Sequence, residues 1–237
     1  MLQSNVQRIL DLVQPEHRVL DIGGWAMPFN RANYVIDILD YDTRGIFGSQ
    51  GPETEHFSRE TWLVRDICDK TPYPFPDKFF DFVVCSHTLE DIRDPLWVCS
   101  EIVRIGKRGY IEVPSAESEI AFGVENKHYA GRHHHRWVID IEDGKLLFTH
   151  KSHNIHTIWQ YHLPRRFYQK LPPEKRVQYL FWEDSFPFQE NVLLSSEQVG
   201  KFYAERVRAL NAYPEVRYAV EAMRTGVKKY LKRMQRS

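Results

Sequence analysis

The sequence predicts an α/β fold built on a mostly parallel sheet, and three observations carry that prediction. Short apolar runs recur through the first half of the chain: Arg18 to Ile22, Tyr34 to Ile38, Thr61 to Val64, Phe79 to Cys85 and Gly109 to Val113. The connections between them are helical or long rather than two-residue turns, which favours parallel neighbours joined by right-handed crossovers. The run FFDFVVC is almost unbroken in its apolar character, as expected of a strand covered on both faces.

In chain order, Val6, Ile9, Leu10 and Val13 repeat at helical spacing, and Pro15 closes that helix. The first strand carries Asp21 near its end and runs into Gly23 and Gly24. The connection that follows is short and contains Pro28, leaving room for about two helical turns. The second strand carries Asp37 near its end, and residues 40–60 are a polar loop. Arg65 and Asp66 follow the third strand, and the three prolines of DKTPYPFPDK make the next stretch irregular. Ser86, His87, Thr88, Leu89, Glu90 and Asp91 directly follow the fourth strand. Asp94 is the N-cap and Pro95 the first residue of a helix running to about Arg104.

Beyond the fifth strand and Pro114-Ser115 the pattern changes. Residues 116–135 are polar and end in His133-His134-His135. Arg136 to Ile141 and Lys145 to His150 flank Glu142-Asp143-Gly144, which reads as a β-hairpin. Helices are expected over 164–171, 173–181, 196–210 and 214–234, the last ending in the basic stretch KKYLKRMQR. Residues 1–155 are expected to form the core, with 156–237 a helical extension packed on it.

Composition bounds the function. Among 237 residues, 32 Lys and Arg balance 32 Asp and Glu, so no global field favours nucleic acid or a membrane surface. The three cysteines form no C-x-x-C pair, and an odd count argues for reduced thiols. No secretory apolar core opens the sequence, and no run approaches the ~20 apolar residues of a membrane span. The expectation is a cytoplasmic protein with a small-molecule substrate and neither nucleic acid nor membrane as partner. Its oligomeric state is not specified.

Ligands of parallel sheets sit at the carboxyl ends of the strands. Asp21, Gly23, Gly24, Asp37, Asp66, Ser86, His87, Pro114, Ser115 and Glu117 all fall there. The order strand, glycine turn, strand, acid suits a cofactor with an adenosine half: glycine admits a close backbone approach, and the second acid can accept from ribose hydroxyls. The full G-x-G-x-x-G fingerprint is absent.

VLDIGGWAMPF, VIDI and VRDICDKTPYPFPDKFFDFVVCSHTLEDIRDP together resemble a class I S-adenosylmethionine-dependent methyltransferase, closest to the small-molecule branch called type 11. The resemblance spans roughly residues 15–115, and its most specific part is FPDKFFDFVVCSHTLEDIRDP. It implies a Rossmann-like sheet and S-adenosylmethionine as cofactor. Asp21, Gly23 and Gly24 would face the methionine end, Asp37 the ribose diol, and Asp66 with Ile67 the adenine. Ser86 and His87 would line the cofactor and substrate side. The sequence departs from the family at Trp25, where a further glycine is usual. That departure motivates an alternative reading as a non-catalytic methyltransferase-like binding protein; a His-metal hydrolase or isomerase is a third.

Methyl transfer to oxygen needs a base, and histidine serves near neutral pH. The assigned catalytic residues are His87, His133 and His135, with His128 and His134 also in reach of the role. If the hairpin begins near His133, then His133 and His135 share one face and His134 takes the other. An i, i+2 pair can chelate a metal with help from His128 or His150, but spacing fixes no acidic partner and no metal ligand is assigned. Arg132 and Arg136 can grip a phosphate or carboxylate. The expected reaction is methyl transfer to a small molecule, an oxygen of a sugar or saccharide-like acceptor.

Overall fold

The structure, a computed structural model, describes residues 1–234, with side chains described to Arg224. The basic stretch KKYLKRMQR therefore lies outside the described side chains. Five parallel strands form the body of the central sheet: β1 Val19–Ile22, β2 Tyr34–Asp37, β3 Trp62–Val64, β4 Phe82–Ser86 and β5 Arg108–Pro114. Their order is β3-β2-β1-β4-β5, and a sixth strand, β8 (Val177–Glu183), runs antiparallel along the free side of β5. The chain order reverses between β1 and β4, and such a switch point opens a crevice at the strand ends.

Both faces of this sheet are buried, as the pleat requires. Leu20, Ile22, Val83, Cys85, Ile111 and Val113 pack into one core. The alternate residues Val19, Val35, Phe82, Val84 and Tyr110 pack into the other. Helix α1 (Gln3–Leu12) covers the second face with Val6 and Ile9. Helix α2 (Pro95–Ile105) covers the first with Val98, Cys99, Ile102 and Ile105. Its start follows the sequence signal: Pro95 opens it, and the Asp94 carboxylate accepts the Trp97 N–H at 3.0 Å.

After the one-turn helix α3 (Ala116–Ile120), the hairpin forms from β6 (Trp137–Glu142) and β7 (Lys145–His150). It pairs with β9 (Phe188–Glu190) in a separate three-stranded sheet. Helices α4 (Arg165–Lys170), α5 (Ser196–Ala209) and α6 (Glu215–Met234) complete the chain. The buried contacts of α5 and of the segment after β7 form a third apolar cluster around Tyr203, Val207 and Ile155.

The main correction concerns 173–181. No helix of that extent forms; a short 3-10 turn at Pro173–Lys175 leads into β8, whose residues VQYLFWE pair with all of β5. Valine and aromatic residues suit an extended edge position, and the open hydrogen-bonding side of β5 selects it. Gly109 makes the pairing close, since a Cβ there would lie 2.9 Å from the Trp182 ring. A strand from beyond residue 155 thus completes the sheet begun before it. The fourth strand starts at Phe82 rather than Phe79, because Phe79 and Phe80 turn into an edge-to-face aromatic group with Tyr34 and Phe75. Cys68, Cys85 and Cys99 are free and buried. Among the described residues no helix is long and apolar enough to cross a membrane.

Candidate active site

A cavity of about 840 Å³ opens at the carboxyl ends of β1, β2 and β4. Asp21, Gly23, Gly24, Asp37, Asp66, Ile67, Ser86 and His87 all line it. The pleat and the parallel register bring these residues together from four separate stretches of sequence.

The glycine turn is fixed by packing. Gly23 has φ +76°, and its N–H donates to the Ile36 carbonyl at 2.9 Å. A Cβ at Gly23 would come within 2.2 Å of Thr88 Oγ1, and one at Gly24 within 2.1 Å of Asp21 Oδ2. The turn therefore folds back on the acid of its own strand, which only a residue without a side chain permits. Asp21 is buried and accepts the Phe29 N–H at 2.9 Å. Burial pushes its pKa up to about 7, against the opposing effect of that hydrogen bond.

Asp37 holds the other side of the turn. One carboxylate oxygen accepts the Trp25 N–H and the other the Leu39 N–H, each at 3.0 Å. Burial raises its pKa, while these backbone donors work in the opposite direction. Trp25 is accommodated without disturbing this frame. Its indole N–H donates to Thr43 Oγ1 at 2.9 Å, and the ring packs against the α1-side core. Asp66 accepts the Cys68 N–H at 2.9 Å and pairs with Arg93. Burial opposes its charge, but Arg93 and that N–H outweigh burial and hold the carboxyl below its ordinary range.

The wall carries features that suit S-adenosylmethionine. Ser86 Oγ is buried without a hydrogen-bond partner. On the same cavity Ile38, which follows Asp37, is 63% and Phe47 71% exposed, leaving apolar surface for a flat ring to cover. An acid with spare lone pairs, a free hydroxyl and an apolar wall fit the ribose, polar and adenine portions of that cofactor.

His87 does not fit the role of base. It sits at φ +54° just after β4, with Nε2 3.1 Å from Glu112 Oε1 and Nδ1 3.5 Å from Glu90 Oε1. Burial opposes its charge, but the two carboxylates more than offset that and raise its pKa to about 9. The ring is therefore a cation at neutral pH and has no lone pair with which to take a proton. Burial likewise works against charge on Glu112, yet His87, the α-amino group and Tyr110 outweigh it and lower the carboxyl to about 2. Glu112 stands out in the sequence as the one acid inside the apolar run YIEVP.

The histidine cluster also departs from expectation. β6 begins only at Trp137, so His133 to His135 lie in irregular backbone where strand alternation does not apply. His134 and His135 line the cavity, whereas His133 turns away and sets Nδ1 2.6 Å from Glu125 Oε2. His135 is buried, with Nδ1 2.6 Å from Glu119 Oε1, and Lys151 Nζ holds the other Glu119 oxygen at 2.8 Å. It is a part of the scaffold. His134 is the exposed member on the cavity, and burial together with its neighbour His135 lowers its pKa, leaving a neutral ring at pH 7. The proposed helpers do not converge: His150 packs against Trp137 and lines a different cavity, and His128 is exposed and does not line the 840 Å³ cavity. Arg132 and Arg136 line the cavity, with no acidic partner among the described residues.

Sequence reasoning missed Glu112, Glu119 and Thr88 as partners of site residues. Each acts through a contact distant in sequence; Thr88 lies inside the motif CSHTLED, whereas Glu112 and Glu119 belong to no spaced motif.

Residues 3–119, just under half of the chain, match the family model described as methionine biosynthesis protein MetW. Comparison with curated proteins returns no match. Among solved structures, an S-adenosylmethionine-dependent methyltransferase from Mesorhizobium loti is 17% identical, with a TM-score of 0.34, over 61% of this chain and 63% of that one. One from Aquifex aeolicus is 19% identical, with a TM-score of 0.32, over 48% and 65% respectively. One from Archaeoglobus fulgidus is 20% identical, with a TM-score of 0.34, over 49% and 53%. The chain thus spans less than two thirds of each of these structures. The strand order β3-β2-β1-β4-β5, with antiparallel β8 beyond β5, is that of a Rossmann-like α/β sheet.

Proposed function

We propose that this chain is an S-adenosylmethionine-dependent methyltransferase acting on a small molecule. The observation that carries the reading is the cavity at the switch point, where Asp37, Asp66 and the unpartnered Ser86 Oγ meet around a glycine turn. The match of residues 3–119 to a family named for methionine biosynthesis supports the same reading. When bound, the cofactor supplies an electrophilic methyl group on a sulfonium.

The chain's own residues divide the remaining work. Asp37 accepts from the ribose hydroxyls while its backbone donors keep it oriented. Ile67 and the apolar wall cover the adenine, and Asp21 holds the glycine turn at the methionine end. Orientation of the two reactants in this enclosed space supplies most of the rate. His134, neutral and facing the cavity, is the base that takes the proton of an acceptor hydroxyl. Arg132 and Arg136 would hold an anionic group of the acceptor. Together these favour an oxygen of a polar, saccharide-like acceptor bearing a carboxylate or phosphate. The three free thiols support a reducing, cytoplasmic setting.

Calorimetric titration with S-adenosylmethionine and S-adenosylhomocysteine, on folded protein freed of co-purified cofactor, tests the reading. Micromolar binding of both is the expected result. Folded protein that binds neither would overturn it and favour a binding module that has kept only the fold.

A further inference from the structure

We propose a divalent-metal site beside the cavity, formed by Glu125, His133 and His134. Two imidazoles and a carboxylate make a donor set of the kind that holds zinc and its first-row neighbours with a position left open. Their ligand atoms all lie within 4.8 Å of one another. His133 Nδ1 is 2.6 Å and His134 Nδ1 3.8 Å from oxygens of the same Glu125 carboxylate. Donors on a tetrahedral zinc stand ~3.3 Å apart, given metal–ligand distances of ~2.0–2.1 Å. Small side-chain adjustments therefore suffice: the cation replaces the proton that His133 and Glu125 now share.

The backbone prearranges the three residues. Phe122 and Ala130 bridge antiparallel, with Gly123 N–H to the Tyr129 carbonyl and Gly131 N–H to the Ala121 carbonyl, each at 2.7 Å. That closed loop returns Glu125 to the histidines, and the His133 N–H donates to Glu125 Oε2 at 3.1 Å. On the other side, the buried Glu119 anchors His135 and Lys151, fixing the chain just after His134. Two neighbouring histidines, which regular strand geometry would send to opposite faces, thus reach one carboxylate because their backbone is irregular.

His134 also lines the large cavity, so a ligand of this metal would share that space. On the methyltransferase reading, the metal would polarise an acceptor hydroxyl and lower its pKa, taking over that task from His134, whose ring lone pair it would occupy. The site itself stands on its geometry and is tested without turnover. Tag-free, metal-stripped protein is titrated with zinc chloride by calorimetry, with bound metal counted by elemental analysis, and with cobalt(II) followed by visible absorption. One equivalent per chain is expected, with the intense cobalt bands of a four-coordinate site. His133→Ala and Glu125→Gln should each weaken zinc binding by at least about tenfold, while His150→Ala leaves it unchanged. Because Glu125 and His133 are exposed, both variants should keep the wild-type circular dichroism; should either misfold, the stoichiometry and cobalt spectrum of the wild type decide. Absence of stoichiometric binding, or equal affinity in the folded variants, overturns the site. Cofactor titration of the same preparation separates the two claims: zinc bound without S-adenosylmethionine binding upholds the site and overturns the methyltransferase reading, and the reverse pattern does the opposite.

Discussion

The cavity has two rims that are built on different physics. On the sheet rim, Asp21, Asp37, Asp66 and Ser86 occupy the ends of parallel strands or the turns just beyond them, where the fixed period of the pleat and the register of the sheet decide their positions. On the histidine rim, Arg132 to Arg136 lie in irregular backbone held by isolated long-range contacts. The first rim is a consequence of the fold. The second is a set of individual solutions, each resting on one partner such as Glu119 or Glu125. Damage to the sheet rim should therefore appear chiefly in cofactor affinity, and damage to the anchors of the histidine rim chiefly in stability.

The largest expected effect is on that anchoring. Glu119 is buried and holds both His135 and Lys151. Glu119→Gln leaves the buried Lys151 without its counter-charge and should cost about 3–5 kcal/mol, read as a fall in the urea midpoint. The same network sets an acid limit. Burial alone would raise the Glu119 pKa, but His135 and Lys151 lower it on balance. A carboxyl depressed in the folded state contributes stability above its unfolded pKa and loses it as pH falls through the folded value. Acid unfolding should accordingly be less steep in the variant.

Next in size is Asp37→Ala. On the proposed function it would remove two charge-assisted bonds to ribose hydroxyls, each worth about 1.5–3 kcal/mol. Cofactor affinity should fall by about 100-fold or more, measured by calorimetry, with far less effect on the melting temperature than Glu119→Gln. Equal loss of stability and affinity would erase the contrast between the rims.

Gly23→Ala comes third. Its positive φ costs about 1–2 kcal/mol for any residue with a side chain, and the added Cβ meets Thr88. Thermal melts should show a drop that is partly relieved in a Thr88→Ala background, since that change removes the two nearest atoms. An unaltered drop in the double variant would place the strain in the backbone alone.

The same contrast explains what the sequence could and could not reveal. Five strands and the residues at their ends were legible because apolar runs, glycines and prolines are local signals. β8 was not: VQYLFWE carries no period that decides between helix and strand, and the open edge of β5 made the choice. The face assigned to His133 and His135 failed because it assumed that β6 began four residues earlier than it does. His87 was legible in position and misread in chemistry. Its charge depends on Glu90 and Glu112, and the latter sits on the next strand.

That charge gives the smallest and most selective prediction. His87 has a folded pKa of about 9, set by burial, which lowers it, and by Glu112 and Glu90, which raise it further. A histidine raised above its unfolded value of ~6.5 contributes stability that is fully present below pH ~6.5 and disappears as pH rises through 9. The wild type should therefore lose stability between those limits, as followed by urea unfolding at a series of pH values. In His87→Gln this decline should flatten, because the glutamine keeps hydrogen-bonding capacity without a titrating proton. The ring is partly exposed, so solvent screening makes the effect modest. An identical decline in wild type and variant would mean that another group titrates there, and would reopen the case for His87 as a neutral base on the sheet rim.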